Sequence, residues 1–176
     1  MRTNHAVRQY FLALLGCALL SLPLQSQSAA VPVPPALANA KTVFLSNQSA
    51  DTGLFPDIYS GGPDRGFNEF YAALKASGRF ELVSDPARAD LVLALRLVAP
   101  MDPASARDKP RPEGFPVSLP LFRLEIYDRP THYVLWTLTE PIEKALLQRN
   151  NDRNFGHAIA RLAADLQRLS APAPAP

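Results

Sequence analysis

The sequence predicts an α+β fold, a mixed β-sheet with two main helices packed on it, in the order β-α-β-β-β-β-α. Three observations lead there. Two stretches, near residues 64–77 and 151–169, repeat apolar side chains at helical spacing. Around them lie short apolar or alternating runs with the period of strands. The first such run is followed by a helix and then a strand, and a right-handed crossover of this kind makes the first two strands parallel. The last three runs follow one another as a meander, which makes them antiparallel.

Residues 1–30 read as a secretory signal. Arg2, His5 and Arg8 form a basic start, FLALLGCALLSLPL (Phe11–Leu24) is the apolar segment, and QSQSAA (Gln25–Ala30) offers small residues for cleavage after Ser28 or Ala30. The apolar run is short for a membrane span, which needs roughly 20 residues. Leu14-Leu15-Gly16-Cys17 loosely resembles a lipobox, so membrane attachment is expected only if Cys17 is lipidated; otherwise Cys17 is an apolar residue inside the signal. The formal charge of +2 belongs to this leader: it holds two of the 18 Lys and Arg and none of the 16 Asp and Glu, leaving 16 against 16 beyond it. A neutral mature chain lacks the net basic footprint that nucleic-acid binding requires. Without Cys17 it also has no cysteine for a disulfide, a thiol nucleophile or a Cys-containing zinc site.

VPVPPALANA (Val31–Ala40) reads as a semi-extended Pro/Ala linker that does not pack, with SAPAPAP (Ser170–Pro176) as a disordered counterpart. Between them lies a single domain, residues 41–169. KTVFLSN (Lys41–Asn47) is the first strand, with Val43 and Leu45 on one face and Phe44 on the other. After a Gly/Asp/Ser/Pro-rich loop, Asp64 is the expected N-cap of a helix whose stripe is Phe67, Phe70, Tyr71 and Leu74. Gly78 ends it, being free to take a left-handed conformation. RFELVS (Arg79–Ser84) is the second strand, and Asp85-Pro86 opens a single turn. DLVLALRLVA (Asp90–Ala99) is apolar on both faces except at Arg96 and belongs in the middle of the sheet.

The fourth strand is Leu119–Asp128, where Phe122, Leu124 and Ile126 alternate with Arg123, Glu125 and Tyr127. In the fifth, His132–Glu140, Val134, Trp136 and Leu138 share a face, with Trp136 read as core. Beyond Pro141 the chain is either a continued edge strand or a helical turn. Asn151 or Asp152 caps the last helix, whose stripe is Phe155, Ala158, Ile159, Leu162, Leu166 and Leu169; His157 lies off it and is expected in solvent. No internal repeat is visible.

Three phrases carry a resemblance: LKASGRFELVSDPARADLVLAL, LEIYDRPTHYVLW and DRNFGHAIARLAADLQRL. Together they resemble the small α/β domains of the bacterial envelope related to the amino-terminal domain of TolB and to curli-secretion and penicillin-binding-protein-activator lipoproteins. The matching positions are Gly78 to Val83, Ala89-Asp90, and Asp128, Thr131, Val134, Leu135 and Trp136 within Asp-x-x-Thr-x-x-Val-Leu-Trp. The last helix phrase also resembles that of a subgroup of secreted bacterial proteins. The resemblance spans most of residues 41–169 through structural motifs. It implies a periplasmic or secreted domain that binds other proteins and performs no reaction. This chain departs from the group in its long proline-rich loop, 99–118, and in His132, which replaces the usual turn glycine after the threonine.

The residues offer little chemistry. Asp128 and His132, with Tyr127 or Tyr133, could form an acid–base group in a small hydrolase. The other reading is structural, since Asp128 and Thr131 beside a proline are turn formers. No G-x-S-x-G nucleophile motif or phosphate-binding glycine pattern occurs, and nothing calls for a cofactor. Asp51, Asp57 and Asp64 match no calcium loop, and two histidines outside the leader, on separate elements, are weak material for a metal centre. The loop APMDPASARDKPRPEGFPVS (Ala99–Ser118) is either a disordered excursion or a partner-binding segment, and a partner is expected to be held through it or through the sheet edge. Arg107, Lys109, Arg111 and Phe115 are its candidate contacts with an envelope or secreted protein.

Overall fold

The computed structural model describes residues 31–48, 55–98 and 119–171. Its centre is a mixed five-stranded sheet with helices against it, an α+β arrangement. Strands β1 (Thr42–Asn47), β2 (Glu81–Leu82), β3 (Leu91–Val98), β4 (Leu121–Asp128) and β5 (Val134–Pro141) stand in the order β2-β1-β3-β4-β5. β1 is parallel to both β2 and β3, while β3–β4 and β4–β5 are antiparallel. β3 is thus the middle strand, and its Leu91, Leu93 and Leu95 are buried on one face.

β2 is much shorter than the phrase RFELVS suggests, and this permits the parallel return. After only two paired residues, a 3-10 turn at Pro86–Arg88 carries the chain past the start of β1 and into β3. Asp85 starts that turn, accepting the Ala87 N–H at 2.9 Å.

Helices α1 (Pro35–Asn39), α2 (Arg65–Ser77) and α3 (Gln148–Leu169) complete the described fold. The inner face of the sheet, with Val43, Leu93, Leu124 and Ile126, shares one core with Phe70 and Leu74 of α2 and Phe155, Ile159, Leu162 and Leu166 of α3. Gly78 ends α2 at φ 63°, a left-handed conformation that glycine adopts without a Cβ penalty. In α2 the buried stripe is Gly66, Phe70 and Leu74, with Phe67 only partly buried and Tyr71 exposed.

Several expectations need correction. The Pro/Ala stretch packs: Pro35 starts a short helix, and Leu37 and Ala40 enter the core because a leucine on a proline-started turn can cover its open end. Ser170, expected in the tail, is buried, its Oγ donating to the Leu166 carbonyl at 2.8 Å. Asp64 stands at the N-cap of α2 as expected, but its carboxylate makes no capping bond and accepts instead from the Asn47 amide at 2.8 Å. α3 begins three residues before Asn151, so neither Asn151 nor Asp152 is its cap. The register of β5 shifts between Ile126 and Tyr127, so that Tyr127 pairs with Val134. Val134 therefore leaves the face shared by Trp136 and Leu138 and is exposed, while Trp136 is partly buried against the core. β5 stops at Pro141, and Ile142 buries itself at the start of the loop to α3.

Candidate functional site

The β4–β5 hairpin end contains the polar residues that drew attention in the sequence. The Asp128 N–H donates to the Tyr133 carbonyl at 2.9 Å, closing a four-residue loop. The Asp128 carboxylate accepts the Thr131 N–H at 3.1 Å and its hydroxyl at 2.5 Å through the same oxygen, Oδ2. His132 donates its N–H to the Asp128 carbonyl at 2.8 Å, and its φ of 60° lies in the left-handed region. It holds the position at which a glycine would be relaxed. Its imidazole is exposed, and no hydrogen bond joins it to the Asp128 carboxylate. The described contacts thus occupy the aspartate in shaping the turn.

A cleft of about 450 Å³ opens beside this turn, between α1, the 3-10 turn and the hairpin, and Asp90, Asp128, Arg88 and Arg129 line it. Asp90 is the residue whose role the sequence hides. Its carboxylate Oδ2 accepts the backbone N–H groups of Lys41 and Thr42, each at 2.8 Å, and its own N–H donates to Thr42. Those bonds, first from Thr42 and then from Lys41, hold the carboxyl below its usual range. Ala89-Asp90 is therefore the bracket that fastens the start of β1 to the start of β3. The only hint in the sequence is the dipeptide itself, because its partners lie 48 and 49 residues away. Both carboxylates of the cleft are committed to backbone and turn contacts.

The far end of β5 is built with equal care. Asn151, buried in α3, accepts the Ala145 N–H at 2.6 Å and donates to the Ala145 carbonyl at 3.0 Å. Asn154 adds a bond to the Glu143 carbonyl at 2.9 Å. This bracketed loop carries Leu146 and Leu147 into solvent, at 104% and 64% exposure. At the other end of β5, Tyr133 and Val134 are exposed as well. Among the described residues no strand pairs with the outer edge of β5. That edge, VLWTLT, carries no charge or proline before Glu140-Pro141, and Glu140 is paired with Arg161 of α3.

A second polar cluster stands away from both places. Arg65 donates to Glu69 at 2.7 Å and to Asp152 at 2.6 Å, and its guanidinium lies 4.4 Å from the centre of the Phe155 ring. It ties α2 to α3 and the Ser60 loop; its partners are complete.

Arg107, Lys109, Arg111 and Phe115 lie outside the described residues, as does Asp51. Asp57 and His157 are exposed on separate elements. Among the described residues no three His, Cys, Asp or Glu side chains gather where they could hold a metal ion.

The chain matches no family model and no curated protein. Among solved structures, a dodecameric PelC variant from Paraburkholderia phytofirmans is 17% identical, with a TM-score of 0.41, over 75% of this chain and 89% of that one. Protein XCC0632 from Xanthomonas campestris is 15% identical, with a TM-score of 0.41, over 78% of this chain and 85% of that one. A PelC dodecamer from P. phytofirmans in another crystal form is 14% identical, with a TM-score of 0.37, over 81% and 94%. At these scores the likeness says nothing of function.

Proposed function

We propose that this chain is a non-enzymatic accessory domain of the bacterial envelope, exported to the periplasm or beyond, that binds a protein partner along the outer edge of β5. The observation that carries this reading is the edge itself: eight residues long, uncharged over its first six, and flanked by exposed Tyr133, Val134, Leu146 and Leu147. An unpaired edge presents a row of N–H and C=O groups, and soluble proteins usually blunt such edges with charge, proline or a bulge. Here the bulge and the proline lie only at the two ends, leaving the middle open to an added strand.

Export is supported by the leader-like residues 1–30, and no helix among the described residues is long and apolar enough to cross a membrane. The absence of a reaction is supported by the committed carboxylates of Asp90 and Asp128. Binding to proteins also agrees with the TolB-like phrases in the sequence.

The test is affinity capture from envelope extracts with the wild-type protein and a Thr137→Lys variant, which places a charge in the middle of the exposed edge. A specific protein held by the wild type and lost by the variant, at unchanged circular dichroism, is the expected result. Equal capture by both proteins, or none by either, overturns the edge reading. Substrate turnover that disappears in both Asp128→Ala and His132→Ala would identify a hydrolase instead.

A further inference from the structure

The face of the sheet opposite the core carries a feature that the fold itself does not use. Arg96 of β3 and Arg123 of β4 are directly paired in register, and both are exposed. Like charges placed opposite each other across two strands are destabilising, since their Cβ atoms lie only about 5 Å apart. Arg65, Arg79, Arg161 and Arg168 each donate to a carboxylate or a backbone carbonyl. Among the described residues, Arg96 and Arg123 have no side-chain hydrogen bond or ion pair. The neighbouring carboxylate on this face, Glu125, accepts the Tyr127 hydroxyl at 2.6 Å. Among the described residues the two cations therefore stand side by side without a carboxylate partner, with Arg96 close enough to Tyr127 to favour its ionised form.

Their row runs toward the free edge. Arg123 pairs with Thr139 of β5, so Arg96, Arg123 and Thr139 cross three strands on one face. Thr137, opposite Glu125, is the next β5 residue on that face, and both threonines are exposed. Such short side chains leave the way open from the arginines to a strand added beyond β5. That strand would lie about 10 Å from β4, two strand spacings. The long arginine stem and a glutamate reaching inward can together span this distance.

We propose that the segment accepted by β5 is acidic, an extended polypeptide whose alternate carboxylates fall on the open face and meet Arg123, with Arg96 one strand further in adding to its positive field. This rests on the edge reading and adds the chemistry of the partner. An anionic membrane or polymer would draw on a broad basic surface, whereas the chain beyond the leader is neutral and the feature here is one pair in strand register.

The experiment uses the purified full protein, the fluorescence of its single tryptophan, Trp136 in β5, and eight-residue peptides alternating valine with glutamate, glutamine or lysine. The glutamate peptide is expected to bind about tenfold tighter than the glutamine peptide, as one net charge-assisted contact would give. Added salt should shrink that advantage. In Arg123→Gln the glutamate preference should vanish, and in Arg96→Gln it should shrink, while affinity for the glutamine peptide stays unchanged in both. Equal binding of the glutamate and glutamine peptides by the wild type overturns the acidic specificity and leaves the edge reading standing. Failure of every peptide to bind overturns the edge reading as well. Arginine-dependent binding to vesicles of anionic lipid without any peptide binding would assign the pair to a membrane surface and overturn the proposal.

Discussion

Tyr59 is 3% exposed, and its hydroxyl has no hydrogen-bond partner among the described residues. Its ring packs against Phe155, with centroids 5.1 Å apart, so it is held for its apolar body. Burial pushes the phenol up to about 12, from 10 in the unfolded chain. The neutral form is favoured in the fold, so this contribution to stability is whole below pH 10 and is lost as pH rises from 10 toward 12. Tyr59→Phe removes a buried group without a partner and is expected to gain about 1 kcal/mol at pH 7. Urea unfolding at pH 7 and pH 11 checks both parts: the variant should be more stable at the first and lose less at the second. Of the polar residues, Asp128 and Thr131 lie within reach of local rules, because their bond spans three positions. Asp90 does not, since the groups it holds are brought to it only by the pairing of β1 with β3.

At the scale of elements, the strands and both long helices were legible because each repeats its apolar residues at its own period. The exact face of α2 was not. Gly66 has no side chain to count in a hydrophobic pattern, yet it is where α2 comes close to the core. A Cβ built there would stand 2.9 Å from Phe122 Cε1 and 3.6 Å from Phe155 Cζ. Gly66→Ala gains helix propensity of up to about 1 kcal/mol but must push an aromatic ring buried on the sheet. The net expectation is a loss of about 1–2 kcal/mol, read as a lower urea midpoint with an unchanged slope. The β5 register shift escaped for a related reason: alternation of apolar residues is blind to one inserted position until the partner strand is known. That the last strand lies at an edge was within reach of the sequence, but that no described strand pairs with the outer side of β5 follows only from the strand order.

For the molecule as a whole, Arg79 joins the two ends of the domain. Its guanidinium donates to the carbonyls of Ala38 at 2.8 Å, Ala40 at 3.0 Å and Ser170 at 2.8 Å, and lies 4.6 Å from the centre of the Phe80 ring. Several carbonyls on one planar fork suit arginine and not lysine. Arg79→Ala is expected to cost about 2–4 kcal/mol, with Arg79→Lys recovering only part. Limited proteolysis of Arg79→Ala should cut first within residues 34–40, and protection equal to wild type there would refute the clamp. The sequence by itself determined the α+β class, the order of the strands and long helices along the chain, and the parallel-then-antiparallel pairing. Periodicity and chain connectivity carry that information locally. Only the tertiary structure decided that the Pro/Ala stretch packs, that Asp90 and Arg79 fasten distant backbone, and that Arg96 faces Arg123. Each of these depends on which strands become neighbours, and residues far apart in the chain acquire partners only when the sheet assembles.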